Sequence, residues 1–280
     1  MIPSHQIAII IPTFNRVNET RNIILQIMRQ DFNQYKIIIC DSGSTDGTQN
    51  LESEFPDIII LNVGSDKWWT GAVNSGIQKA KKEGFKLLLI LNDDLLIPEN
   101  LMSRLFEYSN QFPKTIITPV QKELSGQLYA GSIFKGIFKF RENIRKLPDE
   151  ILQLDCSNGC CFLIPTEIIS VIGITDENKI PHVGGDLSIY LRSRNAGYKC
   201  IVVPDLLIEH TSYTNYSNKF SIRSILTHPG SAMHLKTYLY LGHTLFNSWL
   251  KFVFFGMKNH YIFLKTLIKI VIELGMSRKF

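Results

Sequence analysis

The chain has 280 residues, 45% of them hydrophobic and 20% charged, which supports one large buried core and excludes a disordered, collagen-like or disulfide-stapled scaffold. Its net charge of +5 is unevenly spread: residues 1–220 carry 22 basic against 24 acidic side chains, and residues 221–280 carry eight against one. A body that is slightly acidic argues against a nucleic-acid coat protein, so the basicity has to be explained by the tail.

In chain order, short β-branched runs alternate with segments of helical period. Gln6 to Ile11, Lys36 to Cys40, Ile58 to Leu61 and Lys86 to Leu91 read as buried strands. Between them lie a helix capped by Asn18 and running to Gln30, a second over Thr70 to Lys82, and a third opened by Pro98 toward Asn110. This is a βαβ series, which predicts an α/β domain with a parallel sheet. Beyond a strand at Thr115 to Val120 come Gly-punctuated short strands within Leu128 to Phe140, a strand at Cys160 to Ile164, a helix from Pro165, another over Gly185 to Ala196, and a strand at Lys199 to Val203. From about Ser221, aromatic residues and leucines interleave with lysines, as in two or three basic amphipathic helices. Two roles stay open for them: contact with an anionic membrane surface, or packing on the sheet or on a second copy in a homodimer.

The five cysteines lack CxxC spacing and read as reduced core residues. No basic run precedes a long apolar segment at the N-terminus, and His243, Asn247, Lys251 and Lys258 interrupt the best candidate for a spanning helix. The expected location is therefore the cytoplasm, peripheral on the inner face of the cell membrane.

In open α/β sheets, ligands lie beyond the carboxyl ends of the strands. Three of these ends are polar: Pro12-Thr13-Phe14-Asn15-Arg16, Asp41-Ser42-Gly43-Ser44-Thr45-Asp46-Gly47-Thr48 and Asn92-Asp93-Asp94. Each alone is compatible with simple turn chemistry. Together they place an acid pair at the sheet edge, where repulsion is relieved by a hard divalent cation that also holds substrate phosphates. Neither GxGxxG nor GxxxxGK[ST] occurs, which disfavours a dehydrogenase and a P-loop enzyme.

These motifs, with Gly184-Gly185-Asp186, Leu191-Arg192 and Ala196-Gly197-Tyr198, resemble family 2 glycosyltransferases of the GT-A fold. The likeness covers about residues 6 to 212. Within the family the chain is similar to bacterial surface-polysaccharide and rhamnosyltransferase-like enzymes, to which Trp68-Trp69-Thr70-Gly71-Ala72 and Asn74 also point. The resemblance implies a Rossmann-like, mostly parallel sheet flanked by helices over 1–220, with a nucleotide-binding half to about 120, an acceptor half to about 220 and a helical tail. It implies a nucleotide-sugar donor, UDP- or dTDP-linked, a saccharide or lipid-linked acceptor, and Mn2+ or Mg2+. Pro12, Thr13 and Asn15 would line the nucleotide pocket, Asp41 would hydrogen-bond the base, and Trp68, Trp69, Gly71 and Asn74 would belong to the donor site. Asp93 would contact ribose or metal, Asp94 would bind the metal with help from His210, and Asp186 would be the catalytic base. The family's usual Glu-Asp pair is Gly185-Asp186 here, and the Arg commonly found before Asn74 is Val73.

Three alternatives remain at this level. Asp186 could serve as a helix N-cap. The chain could be a nucleotidyltransferase, although the glycine-rich loop expected after its first strand is missing. It could also be a non-catalytic carbohydrate-binding or membrane-surface protein of the same fold.

Overall fold

A computed structural model describes residues 6–135, 140–212, 227–228 and 234–245. The parallel core of the sheet is made by β1 (Ile7–Thr13), β2 (Tyr35–Asp41), β3 (Ile59–Asn62) and β4 (Leu87–Leu91). Alternate residues of β1 enter two separate apolar layers. Ile7, Ile9 and Ile11 pack with Ile23, Ile24 and Ile27 of α1 (Val17–Met28), whereas Ala8 and Ile10 pack with Ala72, Val73 and Ile77 of α3 (Trp68–Lys82). Helices cover both faces, which is why these strands read as unbroken apolar runs. Between β2 and β3 the chain forms a single 3-10 turn (Thr48–Asn50) and the short α2 (Leu51–Glu54).

The approach of α3 is close. A Cβ at Gly76 would lie 2.4 Å from Ile10 Cγ2 and 2.8 Å from Cys40 Sγ, so only glycine lets the helix seat at that depth.

The second half adds β5 (Leu95–Leu96), α4 (Leu101–Gln111), β6 (Thr115–Lys122), β7 (Leu128–Tyr129), the hairpin of β8 (Ser132–Lys135) and β9 (Phe140–Asn143), and β10 (Leu152–Leu154). Then come β11 (Cys161–Pro165), α5 (Thr166–Ile172), α6 (Gly185–Asn195), β12 (Lys199–His210) and α7 (Leu235–Leu245). The main path of the sheet runs β10-β12-β6-β11-β4-β1-β2-β3.

One strand completes the mostly parallel sheet in the opposite direction, and three expectations need correction. β11 is antiparallel to both neighbours. The reason is that the chain re-enters the sheet at its carboxyl end, where Cys161 lies opposite Leu91, without a crossover helix to carry it back. Asn18 lies inside α1; its first turn is capped from another loop, by Asp46 Oδ2 accepting the Val17 N–H at 2.8 Å. α3 starts at Trp68, two residues earlier than expected. β12 continues past Pro204 to His210, because a bulge between Val203 and Leu207 lets the strand resume its pairing with β6 and then pair with β5.

All five cysteines are buried and free. Most of the basic tail lies outside the described residues. Its described helix, α7, packs on the body: a Cβ at Gly184 would meet Leu241 Cδ1 at 2.7 Å, and Leu241 packs against Leu191 of α6. Among the described residues no helix is long and apolar enough to cross a membrane.

Candidate active site

The carboxyl ends of β1, β2 and β4 lie side by side, with Thr13 opposite Asp41 in register. The loop after β1 is locked to the loop after β2: the Asn15 N–H donates to Ser44 Oγ at 2.8 Å, and Asn15 Oδ1 accepts the Thr45 N–H at 2.8 Å. Asn15 holds a φ of +52°, one of three non-glycine residues in that region among the described residues, with Trp68 and Lys114. Pro12 is a buried β1 residue opposite Cys40.

Asp41 is fully buried. Its Oδ1 accepts from the Ser44 N–H at 3.0 Å and from the Ser44 hydroxyl, and its Oδ2 accepts from Gln49 Nε2 at 2.5 Å. The carboxylate expected to face a base is thus closed off by Ser44 and Gln49.

The acid motif after β4 splits in direction. Asp93, 6% exposed, turns into the β1–α1 corner, where Oδ2 accepts from the hydroxyls of Thr13 at 3.0 Å and Thr20 at 3.1 Å, and Oδ1 sits 2.9 Å from Arg16 Nε. Burial raises its pKa to about 6 in spite of the Arg16 charge. Asp94 lies at the other side of the guanidinium, its Oδ2 3.6 Å from Arg16 Nη2, while its Oδ1 is buried and meets no hydrogen-bond donor from another described residue. Burial raises the pKa of Asp94 too, opposed by the charges of Arg16 and His210.

His210 arrives beside this motif as the last residue of β12, paired with Leu95, and the next residue donates its N–H from Thr211 to the Asp94 carbonyl at 2.9 Å. Burial lowers the His210 pKa, with Asp94 pulling the other way. Its position at the end of a strand, instead of a few residues beyond one, follows from the β12 bulge.

Asn92 links this region to the loop before β11 and to α3. Its N–H donates to the Cys160 carbonyl at 2.7 Å, and its Oδ1 accepts from Trp69 Nε1 at 3.1 Å. The Trp69 indole is fitted against two glycines, since a Cβ at Gly159 or at Gly185 would lie 3.0 Å from it. Those glycines border Asp186. The Gly159 N–H donates to Asp186 Oδ2 at 2.7 Å, the Leu187 N–H to Oδ1 at 2.7 Å, and burial raises the pKa of this carboxyl. Asp186 is not an N-cap: Gly184 occupies that position at a φ of +90°, and Asp186 is inside the first turn. A Cβ at 185 would also strike Thr70 Oγ1 at 2.3 Å, so a larger side chain does not fit there without a shift.

Trp68 meets the rings of His182 and His228 edge-on, at 5.8 Å and 5.3 Å. The other two residues assigned to the donor site on α3 face elsewhere. Asn74 Nδ2 donates to the Thr175 carbonyl at 2.8 Å and to Glu177 Oε2 at 3.1 Å, and a Cβ at Gly71 would meet Lys67 and Glu177, so both tie α3 to the loop before α6.

Arg16, Gln49 and Gly159 were given no role by sequence reasoning. Arg16 carries a readable signal, a cation at a strand end facing an acid pair; Gln49 and Gly159 carry none, because their partners come from the fold.

A single hard cation fits Asp94. Its buried oxygen, which no donor meets among the described residues, and the adjacent imidazole suit Mn2+ or Mg2+ with phosphate oxygens completing the shell. Among the described residues no three His, Cys, Asp or Glu side chains gather as a closed metal cage.

The sequence and the fold have counterparts among known proteins. The chain is 28% identical over 176 residues to an uncharacterized glycosyltransferase of Rickettsia typhi, covering 61% of this chain and 54% of that one. It is 29% identical over 146 residues to the GalNAc(5)-diNAcBac-PP-undecaprenol beta-1,3-glucosyltransferase of Campylobacter jejuni, covering 50% and 46%. It is 23% identical over 220 residues to an O-antigen chain rhamnosyltransferase of Salmonella typhimurium, covering 75% and 68%. The chain thus spans about half the length of the first two relatives. Among solved structures, GalNAc-T7 with UDP, GalNAc and Mn2+ aligns with a TM-score of 0.60 at 15% identity over 74% of this chain and 44% of that one. S. aureus TarS 1-349 with UDP aligns at 0.56 and 13% identity over 73% and 60%. Both share the fold, which is GT-A. The model of glycosyl transferase family 2 matches residues 8–169, more than half of the sequence, and the chain belongs to that family.

Proposed function

We propose that the chain transfers a sugar, with inversion, from a UDP- or dTDP-sugar to a saccharide acceptor carried on a lipid, in cell-surface polysaccharide synthesis. The observation that carries this reading is the pairing of two unlike carboxyls across Trp69: Asp94 with an unpartnered oxygen beside His210, and Asp186 held by two backbone N–H groups. Asp94 and His210 would hold a divalent cation, which when bound would offset the negative charge developing on the departing diphosphate. Asp186, with its raised pKa, takes the proton of the acceptor hydroxyl as that oxygen bonds to the anomeric carbon and the bond to the diphosphate oxygen breaks. One displacement with one base inverts the centre. The locked loops of Thr13, Asn15 and Asp41 form the nucleotide pocket, and Gln49 must leave Asp41 before that carboxylate can read a base.

The Campylobacter relative's undecaprenol-linked acceptor supports a lipid-linked glycan, the Salmonella relative's O-antigen chain supports a surface polysaccharide, and the basic tail supports peripheral contact with the inner membrane face. The deciding experiment is a thermal-shift panel of UDP-, dTDP-, GDP- and CMP-sugars with and without Mn2+, followed by NMR of the product's anomeric configuration. Ligands that bind the folded state raise its melting temperature. A Mn2+-dependent shift with one pyrimidine donor and an inverted product is expected; retention of configuration refutes the mechanism.

A further inference from the structure

We propose that Arg16 divides the aspartate pair into unlike halves, so that Asp93 is its buried counter-ion and only Asp94 offers an oxygen to the cation. The inference rests on the reading of Asp94 as the metal ligand.

Both oxygens of Asp93 are already committed. Two threonine hydroxyls donate to Oδ2, and these hydroxyls are themselves 2.8 Å apart, while Oδ1 forms an ion pair with the Arg16 guanidinium, 2.9 Å from Nε. For Asp93 to ligate a metal, a second cation would have to enter this buried corner against the Arg16 charge. Asp94 faces the opposite situation, since Arg16 Nη2 is 3.6 Å from its Oδ2, too far for a hydrogen bond, and its Oδ1 has no donor from another described residue.

Arg16 is also held from the far side. Its Nη2 donates to Ser212 Oγ at 3.0 Å, two residues past His210, so the guanidinium bridges the loop after β1, the acid motif and the end of β12. A fork of fixed geometry performs this bridging; a lysine offers one point charge in its place. The consequence is a site whose local charge near Asp94 is one unit less negative than the sequence Asp-Asp suggests. A cation held by one carboxylate keeps most of its coordination sphere for diphosphate oxygens. Arg16 thereby acts as a positioning residue, setting how strongly the metal binds without nucleotide.

The test is Mn2+ binding by the full-length protein, read from the EPR signal of free Mn2+, alone and with UDP. Asp94→Asn should weaken binding at least tenfold. Asp93→Asn, which keeps an acceptor for the threonines, should stay within threefold of the unaltered protein. Arg16→Gln should tighten binding of Mn2+ alone by threefold or more, because the Asp93 charge is then uncompensated beside Asp94, and Arg16→Lys should restore the original value. If circular dichroism shows that Asp93→Asn does not fold, the two Arg16 variants decide. Loss in Asp93→Asn equal to that in Asp94→Asn, or weaker binding in Arg16→Gln, overturns the division alone. Absence of any Mn2+ binding by the unaltered protein overturns the division and the metal reading together.

Discussion

Trp69 Nε1 donates to Asn92 Oδ1 at 3.1 Å, joining the first turn of α3 to the acid motif at the end of β4. The same indole lies against Gly159 and Gly185 on either side of Asp186, so one side chain sets the spacing between the acid motif and Asp186. Trp69→Phe keeps most of the packing and removes the donor. The expected stability loss is about 1 kcal/mol, from an unmade hydrogen bond. The larger effect should be on kcat, measured by coupled release of nucleoside diphosphate, because Asn92 loses its orientation; an unchanged kcat would leave Trp69 as packing alone.

Asp186→Asn should leave donor and metal binding intact by calorimetry while transfer falls by roughly 10²-fold or more, as for loss of a general base. In the unaltered enzyme, the base must be ionised and its pKa lies above that of an ordinary carboxyl. The acidic limb of kcat/KM should therefore fall at a higher pH than about 4. A collapse of donor affinity in the variant would make Asp186 a binding residue.

Gly185→Ala tests the space left for Thr70 and Trp69. Its Cβ would sit 2.3 Å from Thr70 Oγ1, so the variant should lose about 1–3 kcal/mol in urea unfolding, as overpacked sites do. Gly126, which has open space around it but a φ of +81°, is the control for backbone strain without a clash.

His182 offers a pH test away from the acid motif. Burial lowers its pKa to about 4, with the charge of His228 adding to the effect. The unfolded chain binds a proton at about 6.5 that the folded one refuses, so stability is complete above that pH and declines as pH falls from about 6.5 toward 4. His182→Asn should flatten the dependence of Tm over this window; a parallel curve would refute the assignment.

The order of strands and helices was legible because β1, β2 and β4 are largely buried apolar runs and α1, α3 and α4 each carry an apolar face. Strand direction was not. β11 looks like any apolar run, and only its route into the sheet makes it antiparallel. The short pairings of β5 and β10 are made by partners distant in sequence, so no local pattern announces them. Within the site, the acid motif and Asp186 stand out by residue type and position after a strand or before a helix. The direction of Asp93, the lid of Gln49 on Asp41 and the glycine seat of Trp69 are products of contacts between segments 29 or more residues apart or of local rotamer choice, to which residue type is blind. The tail's described helix, docked through Leu241 on Leu191, shows that at least this part of it is attached to the catalytic body.

The irregularity in β12 makes the placement of His210 a matter of counting. Because pairing with β6 resumes at Leu207 after three residues opposite no partner, the histidine reaches Leu95 in the correct phase only for that number. Side chains alternate faces along a strand, so deleting one residue between Val203 and Leu207 would deliver the neighbour of His210 to Asp94 and turn the imidazole to the other face. Every named site residue would still be present in such a variant. In members with insertions or deletions at this point, an intact set of motifs is therefore no guarantee of an assembled site.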